Sequence, residues 1–142
     1  MPRPDDVGVG LCVLIFNDKG EVLLLKRQGA HRAGHWAGPG GWIDREDKTL
    51  SGAALREVSE ELNLTLVGMP RFVVSTTEDQ PELDCRTVTL YYSSSCFLGT
   101  PKIMEPEKCS EIGWFPTNKL PSPLFPGLAF AISVACGEGR FW

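Results

Sequence analysis

The stretch Arg56–Leu64, REVSEELNL, sets three glutamates close together in a segment that otherwise has the pattern of a helix interior. At 100° per residue, Glu57, Glu60 and Glu61 stand at i, i+3 and i+4, so their side chains leave the helix on one stripe. Like charges at i, i+4 cost a helix about 0.2–0.5 kcal/mol per pair. A solvated acidic face is the commoner reason for such a group. The alternative is a divalent cation that offsets the repulsion.

The available ligand atoms indicate which cation would fit. Carboxylate oxygens suit Mg²⁺ or Mn²⁺, and the sequence has no clustered set of histidines and cysteines that would favour zinc. Mg²⁺ is usually shared between a few carboxylates and the phosphates of a substrate. The stripe of acids therefore points towards phosphate chemistry.

Composition narrows the class of partner. The 142 residues are 42% apolar and 23% charged, as in an ordinary globular chain, and are expected to form one domain over 1–142. The net charge of −4 and the lack of a basic run argue against nucleic acid or a membrane as the partner. The five scattered cysteines are interpreted as small, buried, reduced residues, and no secretion signal is recognised, so a cytoplasmic location is expected.

Hydrophobic periodicity predicts strands around a helix. A β-hairpin is expected over Val7–Phe16 and Glu21–Arg27, with a short extended piece near Trp36 or Trp42. Further predicted elements are a helix over 49–62, strands over 71–78, 85–99 and 112–115, and a terminal helix over 128–136 that ends at Gly137. This order predicts an α/β or α+β fold, with a mixed sheet and helices on both faces.

The glycine-rich turn and the acidic helix together resemble the Nudix box, the loop-helix-loop of a family of nucleotide hydrolases, over about residues 40–64. The family pattern is G-x5-E-x7-R-E-U-x-E-E-x-G-U, where U is a bulky apolar residue. Its R-E-U-x-E-E core is complete from Arg56 to Glu61. Between Gly41 and Arg56 the chain has one residue more than the pattern, so the upstream acid is either Glu46 or Asp47. Asn63 stands in place of the later glycine of the pattern.

Weaker similarities extend over most of the chain. Through them the chain resembles the MutT-like branch of the family, which hydrolyses nucleoside triphosphates. They comprise the opening strand pair, a G-P-G-G turn, Glu105–Cys109, the Trp114-Phe115-Pro116 strand end and Leu124–Leu128. The resemblance implies an α/β/α sandwich around a mixed sheet. A homodimer is expected from the resemblance alone.

The resemblance also implies roles for site residues. The Mg²⁺ ligands would be Glu57, Glu60, Glu61 and the carbonyl of Gly40, with Mn²⁺ as an alternative ion. Arg56 would orient the acids. Glu57 is the candidate general base, and Glu60 remains an alternative. The implied reaction is attack of water on a substrate phosphorus, which gives a nucleoside monophosphate and pyrophosphate from a triphosphate.

Three residues are predicted to contact the substrate: Arg27 at a strand end, and Trp36 and Trp114 as flat groups for a nucleobase. Some relatives have another glutamate before the later tryptophan; here Gly113 occupies that position and Glu111 is a possible replacement. The acids around residues 78–84 are expected to form a solvated loop. Two other functions stay open: hydrolysis of a nucleotide sugar, ADP-ribose or dinucleotide, and nucleotide binding without cleavage.

Overall fold

The computed structural model describes residues 7–29 and 31–137, and within these ranges it has nine strands, two α-helices and one short 3₁₀-helix. In chain order the elements are β1 (Val7–Ile15), β2 (Val22–Arg27), β3 (Trp36–Ala37), β4 (Gly40–Trp42), α1 (Leu50–Leu62), β5 (Thr65–Leu66), β6 (Arg71–Gln80), the 3₁₀-helix Pro81–Leu83, β7 (Cys85–Ser94), β8 (Phe97–Leu98), β9 (Cys109–Phe115) and α2 (Leu128–Ala135).

Two sheets form the centre of the molecule. The larger has the strand order β4-β1-β7-β6 and the smaller the order β3-β2-β9, while β5 and β8 form a separate pair. β1 and β7 run parallel, from Val7 opposite Arg86 to Ile15 opposite Ser94, whereas the other pairs are antiparallel. The larger sheet is therefore mixed, as the sequence predicted.

Side chains of β1 reach both faces of the larger sheet. Leu11, Val13 and Ile15 belong to a core cluster with the buried face of α1, whereas Cys12 and Leu14 belong to a second cluster with α2. Burial on both faces explains why β1 is apolar at nearly every position. The layers are helix, sheets and helix, so the predicted α/β/α sandwich is confirmed.

The predicted β-hairpin is wrong, although its turn is present. The side chain of Asn17 accepts hydrogen bonds from the backbone N–H groups of Lys19 and Glu21, which closes the turn. Beyond the bridge between Phe16 and Val22, however, the two strands separate into different sheets. Both edges of β1 and of β2 are occupied by other strands. The sequence of the turn does not reveal which of these distant strands will pair with β1 or β2.

The strand predicted over 85–99 is divided. β7 ends at Ser94, whose hydroxyl donates to the carbonyl of Cys96 and accepts from its N–H group. Such local side-chain bonds compete with a strand ladder and turn the chain. β8 then pairs with β5 instead.

The cysteines differ in burial. Cys12, Cys85 and Cys109 are buried, as expected, but Cys96 and Cys136 are exposed because they lie in turns after β7 and α2. All five are free thiols.

Candidate active site

Helix α1 presents the acidic stripe to the interior of the fold. The side chain of Thr49 accepts from the N–H of Gly52 and caps the start of the helix. Asn63 ends the helix in the left-handed conformation, with φ of 57°, and so does the work expected of the missing glycine. The buried face of α1, including Val58 and Leu62, packs on the sheets and fixes which way the neighbouring acids point.

Two of the three glutamates lie against the glycines of β4. Glu57 is only 9% exposed, and its Oε1 lies 2.9 Å from the point where a Cβ of residue 41 would stand, so a larger residue there would displace this carboxylate. Glu61 accepts a 2.7 Å hydrogen bond at Oε2 from the N–H of Gly40. Glu60 is exposed; it lies about one turn after Glu57 and directly before Glu61. The site thus brings together the predicted acids and Gly40.

Burial and mutual repulsion disfavour the ionised forms of Glu57 and Glu61. Burial, and next the charge of Glu57, raise the pKa of Glu61 to about 8, although its hydrogen bond with Gly40 acts in the opposite direction. Burial also raises the pKa of Glu57, against the lowering effect of Arg56. Desolvated carboxylates this close together need a compensating positive charge.

Arg56 supplies part of that charge and is held by Asp47. Its Nε and Nη2 donate to the two carboxylate oxygens of Asp47 at 2.9 and 2.8 Å, while Nη1 lies 3.2 Å from Glu57 and 3.3 Å from Glu60. The hydrogen bond lowers the pKa of Asp47. Of the two candidates for the upstream box acid, the structure therefore selects Asp47, and Glu46 is exposed.

Glu105, a further acid to which the sequence analysis gave no role, lies at the same site. It lines the cavity described below and contributes to the raised pKa of both Glu57 and Glu61. Glu111, the suggested replacement before the tryptophan, is exposed on β9 and outside that cavity. The sequence signal for Glu105 is the E-P-E-K-C stretch, one of the similarities to the MutT-like branch.

The donor set fits a hard divalent cation. Glu57, Glu60, Glu61 and Glu105 offer carboxylate oxygens only, as Mg²⁺ or Mn²⁺ requires. In the described ranges no three such side chains converge closely enough to hold an ion as they stand. Glu61 faces Gly40, and Glu57 and Glu60 face Arg56, so their carboxylates would have to turn towards a common point.

A cavity of about 690 Å³ opens beside these acids. It begins at the box glycines on β4 and continues past Gly10 and Cys12 of β1 to Thr87 and Thr89 of β7. Strands in a sheet lie about 4.8 Å apart, so the three steps from β4 to β6 span roughly 14 Å. The volume is in the range of small-ligand pockets, which run from roughly 300 to 1,000 Å³.

Arg27, for which the sequence analysis predicts a substrate contact, lines the cavity. Its guanidinium carbon lies 5.4 Å from the ring centroid of Phe125, and its Nε donates to the carbonyl of His31. Burial lowers its pKa, which nevertheless leaves a guanidinium charged. Phe125 and His31 also line the cavity and were not assigned to substrate from the sequence.

The two predicted stacking tryptophans lie elsewhere. Trp36 is buried and packs edge-on against Phe115, with 5.0 Å between ring centroids. Trp114 stacks on Phe97 at 5.8 Å on the α1 side of the fold. Neither lines the cavity, because alternation along β9 and the short β3 turns both side chains into packed clusters.

The solvated acidic loop predicted near residue 78 is also wrong in part. β6 continues to Gln80, and Glu78 is 6% exposed, with its carboxylate bonded to threonine hydroxyls of β7. Asp79, Glu82 and Asp84 are exposed, as expected. The sequence did not reveal the inward position of Glu78 because its polar partners stand on another strand.

Comparison with known proteins agrees with this geometry. The NUDIX domain family model matches residues 6–132. A MutT NUDIX hydrolase from Burkholderia pseudomallei is 30% identical, with a TM-score of 0.84 over 92% of this chain and 98% of its own. The MutT protein from Methanosarcina mazei Go1 is 22% identical, with a TM-score of 0.80 over 98% and 99% of the two chains.

A third similar structure is the NUDIX domain of Shewanella oneidensis NrtR complexed with ADP ribose. It is 20% identical, with a TM-score of 0.77 over 94% of this chain and 88% of that one. At this identity the likeness concerns the fold.

The chain belongs to the Nudix family and is a Nudix hydrolase of the MutT-like branch. Nudix hydrolases generally use divalent metals, in keeping with the acids collected on α1. Neither helix described by the structure is long and apolar enough to cross a membrane.

Proposed function

We propose that the protein hydrolyses nucleoside triphosphates to nucleoside monophosphates and pyrophosphate, with Mg²⁺ or Mn²⁺ as cofactor. The observation that carries the proposal is the group of four glutamates, two of them desolvated, at one end of a nucleotide-sized cavity. A bare cluster of that kind is unfavourable. A metal-bound polyphosphate is a chemically matched partner for it.

The metal would be held by Glu57, Glu60 and Glu61 with the carbonyl of Gly40. Glu105 lines the same cavity and would be a further ligand. Once bound, Mg²⁺ would supply charge neutralisation for phosphate oxygens and a lowered pKa for a bound water. The remaining tasks fall to the protein. Arg56, anchored on Asp47, restrains Glu57 and Glu60 through its Nη1 group.

Glu57 is the favoured general base, with Glu60 as the alternative. Burial raises the pKa of Glu57, which makes it a better proton acceptor near neutral pH than an exposed carboxylate. In the proposed reaction water attacks a phosphorus of the substrate, a carboxylate takes a proton of the water, and the bridge between the α- and β-phosphates breaks to give nucleoside monophosphate and pyrophosphate. Arg27, which lines the cavity, would contact the phosphates or the base.

A panel of dNTPs with Mg²⁺, followed by separate detection of phosphate and pyrophosphate, tests the assignment. We expect pyrophosphate. Glu60→Gln and Glu61→Gln should lower kcat by roughly 10²- to 10⁴-fold, the range for a lost catalytic carboxylate, with unchanged circular dichroism. Glu111→Gln, an exposed glutamate outside the cavity, is the matched control. If the two site variants matched the parent, the proposal would be wrong.

The same assay separates the other candidate functions. A nucleotide sugar, ADP-ribose or a dinucleotide would be cleaved without release of pyrophosphate. A binding-only domain would show nucleotide binding by calorimetry in Mg²⁺ while no product accumulates. The free thiols fit a reducing compartment such as the cytoplasm. Light scattering tests the further expectation that the protein forms a homodimer.

A further inference from the structure

A second polar group lies at the end of the cavity away from the metal-binding acids. We call it the threonine floor, and it consists of Thr87 and Thr89 of β7 with Glu78 and Gln80 of β6. Within each strand the two positions are two residues apart, so the side chains share one face of the sheet. Thr87, Thr89 and Gln80 line the cavity, and Glu78 lies beneath them.

Hydrogen bonds fix the direction of the threonine hydroxyls. Thr89 donates to Oε1 of Glu78 at 2.8 Å, and Thr87 donates to the same oxygen at 3.5 Å. A carboxylate can only accept, and a hydroxyl has a single proton. Both threonine protons therefore point down to Glu78, and lone pairs are what the hydroxyls present to the cavity.

Gln80 reinforces this direction. Its Oε1 accepts from Nε and Nη2 of Arg32, at 3.4 and 3.3 Å, which sets the orientation of the amide. Its Nε2 then donates to Thr87 at 3.1 Å. The floor therefore offers hydrogen-bond acceptors. Their orientation is fixed by the contacts of the threonines with Glu78 and by the contact of Thr87 with Gln80, which Arg32 orients in turn.

Glu78 is placed there at an energetic cost. It is 6% exposed, and its Oε2 is buried without a hydrogen-bond partner. A Cβ at residue 127 would stand 3.0 Å from this oxygen, so Gly127 allows the start of α2 to lie directly against the carboxylate. An incompletely satisfied buried carboxylate is destabilising, and a buried polar group without a partner calls for an explanation.

We propose that the threonine floor selects nucleotides whose base has an exocyclic amino group, and that Glu78 is the positioning residue that sets this preference. The inference rests on the proposed function in taking the occupant of the cavity to be a nucleotide with its phosphates at the acids. Its base would then meet the threonines of β7, two strands and roughly 10 Å across the sheet from the box glycines of β4. An N–H donor pairs with a threonine lone pair, whereas a base that offers only a carbonyl meets an acceptor.

The test is calorimetric binding of nucleoside monophosphates to the full chain without metal. Two pairs differ only by one amino group: dGMP with dIMP, and dAMP with the monophosphate of purine deoxyriboside. We expect the amino member of at least one pair to bind about tenfold more tightly, as for one lost hydrogen bond at a buried acceptor. Equal affinities within both pairs would overturn the proposal.

Substitutions test the role of Glu78. In Glu78→Gln the amide can donate to the hydroxyls and turn their protons towards the cavity, so the preference should fall below about threefold. Asp79→Asn, the exposed neighbour on β6, is the matched control and should retain it. An unchanged preference in folded Glu78→Gln would contradict the inference.

A second pair of variants covers the case in which Glu78→Gln does not fold. Thr89→Val removes the hydroxyl with little change in shape and should abolish the preference, whereas Thr89→Ser should keep it. If Thr89→Val binds with the parent's preference, the floor does not select the base. Because monophosphate binding needs no hydrolysis, an amino preference without pyrophosphate release would refute the proposed reaction alone, and hydrolysis with equal affinities would refute the floor alone.

Discussion

Arg56 and Asp47 form a bidentate ion pair, in which Nε donates to Oδ1 at 2.9 Å and Nη2 donates to Oδ2 at 2.8 Å. The pair ties the loop before α1 to the helix that carries the acids. Because the guanidinium also reaches Glu57 and Glu60, the position of two site carboxylates depends on a residue that lies outside the proposed metal-binding set.

We therefore expect Asp47→Asn to impair activity although it leaves every predicted metal ligand in place. Loss of an outer-shell partner typically reduces metal affinity or activity by roughly 10- to 100-fold, and kcat/KM with a Mg²⁺ titration measures it. Glu46→Gln, the exposed neighbour, should stay within about twofold of the parent, a change too small to involve the loss of such a partner. Equal losses in the two variants would mean that the loop has no defined anchor at Asp47.

Glu105→Gln should weaken the metal site. Its charge raises the pKa of Glu57 and Glu61, so it lies within the field of both, and its removal should lower kcat at limiting Mg²⁺ by roughly tenfold or more. Glu107→Gln changes an exposed acid two residues further along and serves as the control. A parent-like Mg²⁺ dependence in Glu105→Gln would exclude Glu105 from the site.

Glu61→Gln should stabilise the metal-free protein while it inactivates the enzyme. The folded-state pKa of Glu61 is about 8, above the ordinary glutamate value, so its contribution to stability is present below the ordinary pKa and is lost as pH rises through 8. In chelator at pH 8 the variant should melt on the order of 5 °C higher, and the difference should shrink towards pH 4.5. Glu111→Gln should show no such trend, and a variant that melts lower at pH 8 would contradict the linkage.

Arg27→Lys should raise KM more than it lowers kcat. A lysine keeps the charge but loses the planar contact with Phe125 and the Nε donation to His31, so it holds a polyphosphate less well. We expect a rise in KM of roughly tenfold in steady-state assays, the size of one lost charge-assisted hydrogen bond. Arg71→Lys, on an exposed edge position, is the control. A fall confined to kcat would place Arg27 at the reacting phosphate instead.

Local features of the fold and site followed from the sequence, and the long-range ones did not. Helix α1, its Asn63 end and the three-acid stripe depend on residues within one turn or two of each other, so periodicity and motif spacing predict them. The pairing of β1 with β7 joins positions almost eighty residues apart, and no local pattern encodes it. The hairpin prediction failed for this reason.

The same distinction applies to individual side chains. Arg27 follows a strand whose end can be predicted, and it lines the cavity as expected. The prediction that Trp36 and Trp114 contact a nucleobase rests on their chemical type. Tertiary packing instead places both side chains in hydrophobic clusters. Glu78 looked like a loop acid because the hydroxyls that receive it, on Thr87 and Thr89, belong to the next strand.

The parallel register between β1 and β7 also governs the order of events during synthesis. Gly10 lies opposite Thr89, so the two ends of the cavity are joined only after the ribosome has released more than half of the chain. High contact order of this kind slows folding. A nascent chain that has finished α1 already contains all of its box acids, whereas β7, which forms the other end of the cavity, has yet to be synthesised.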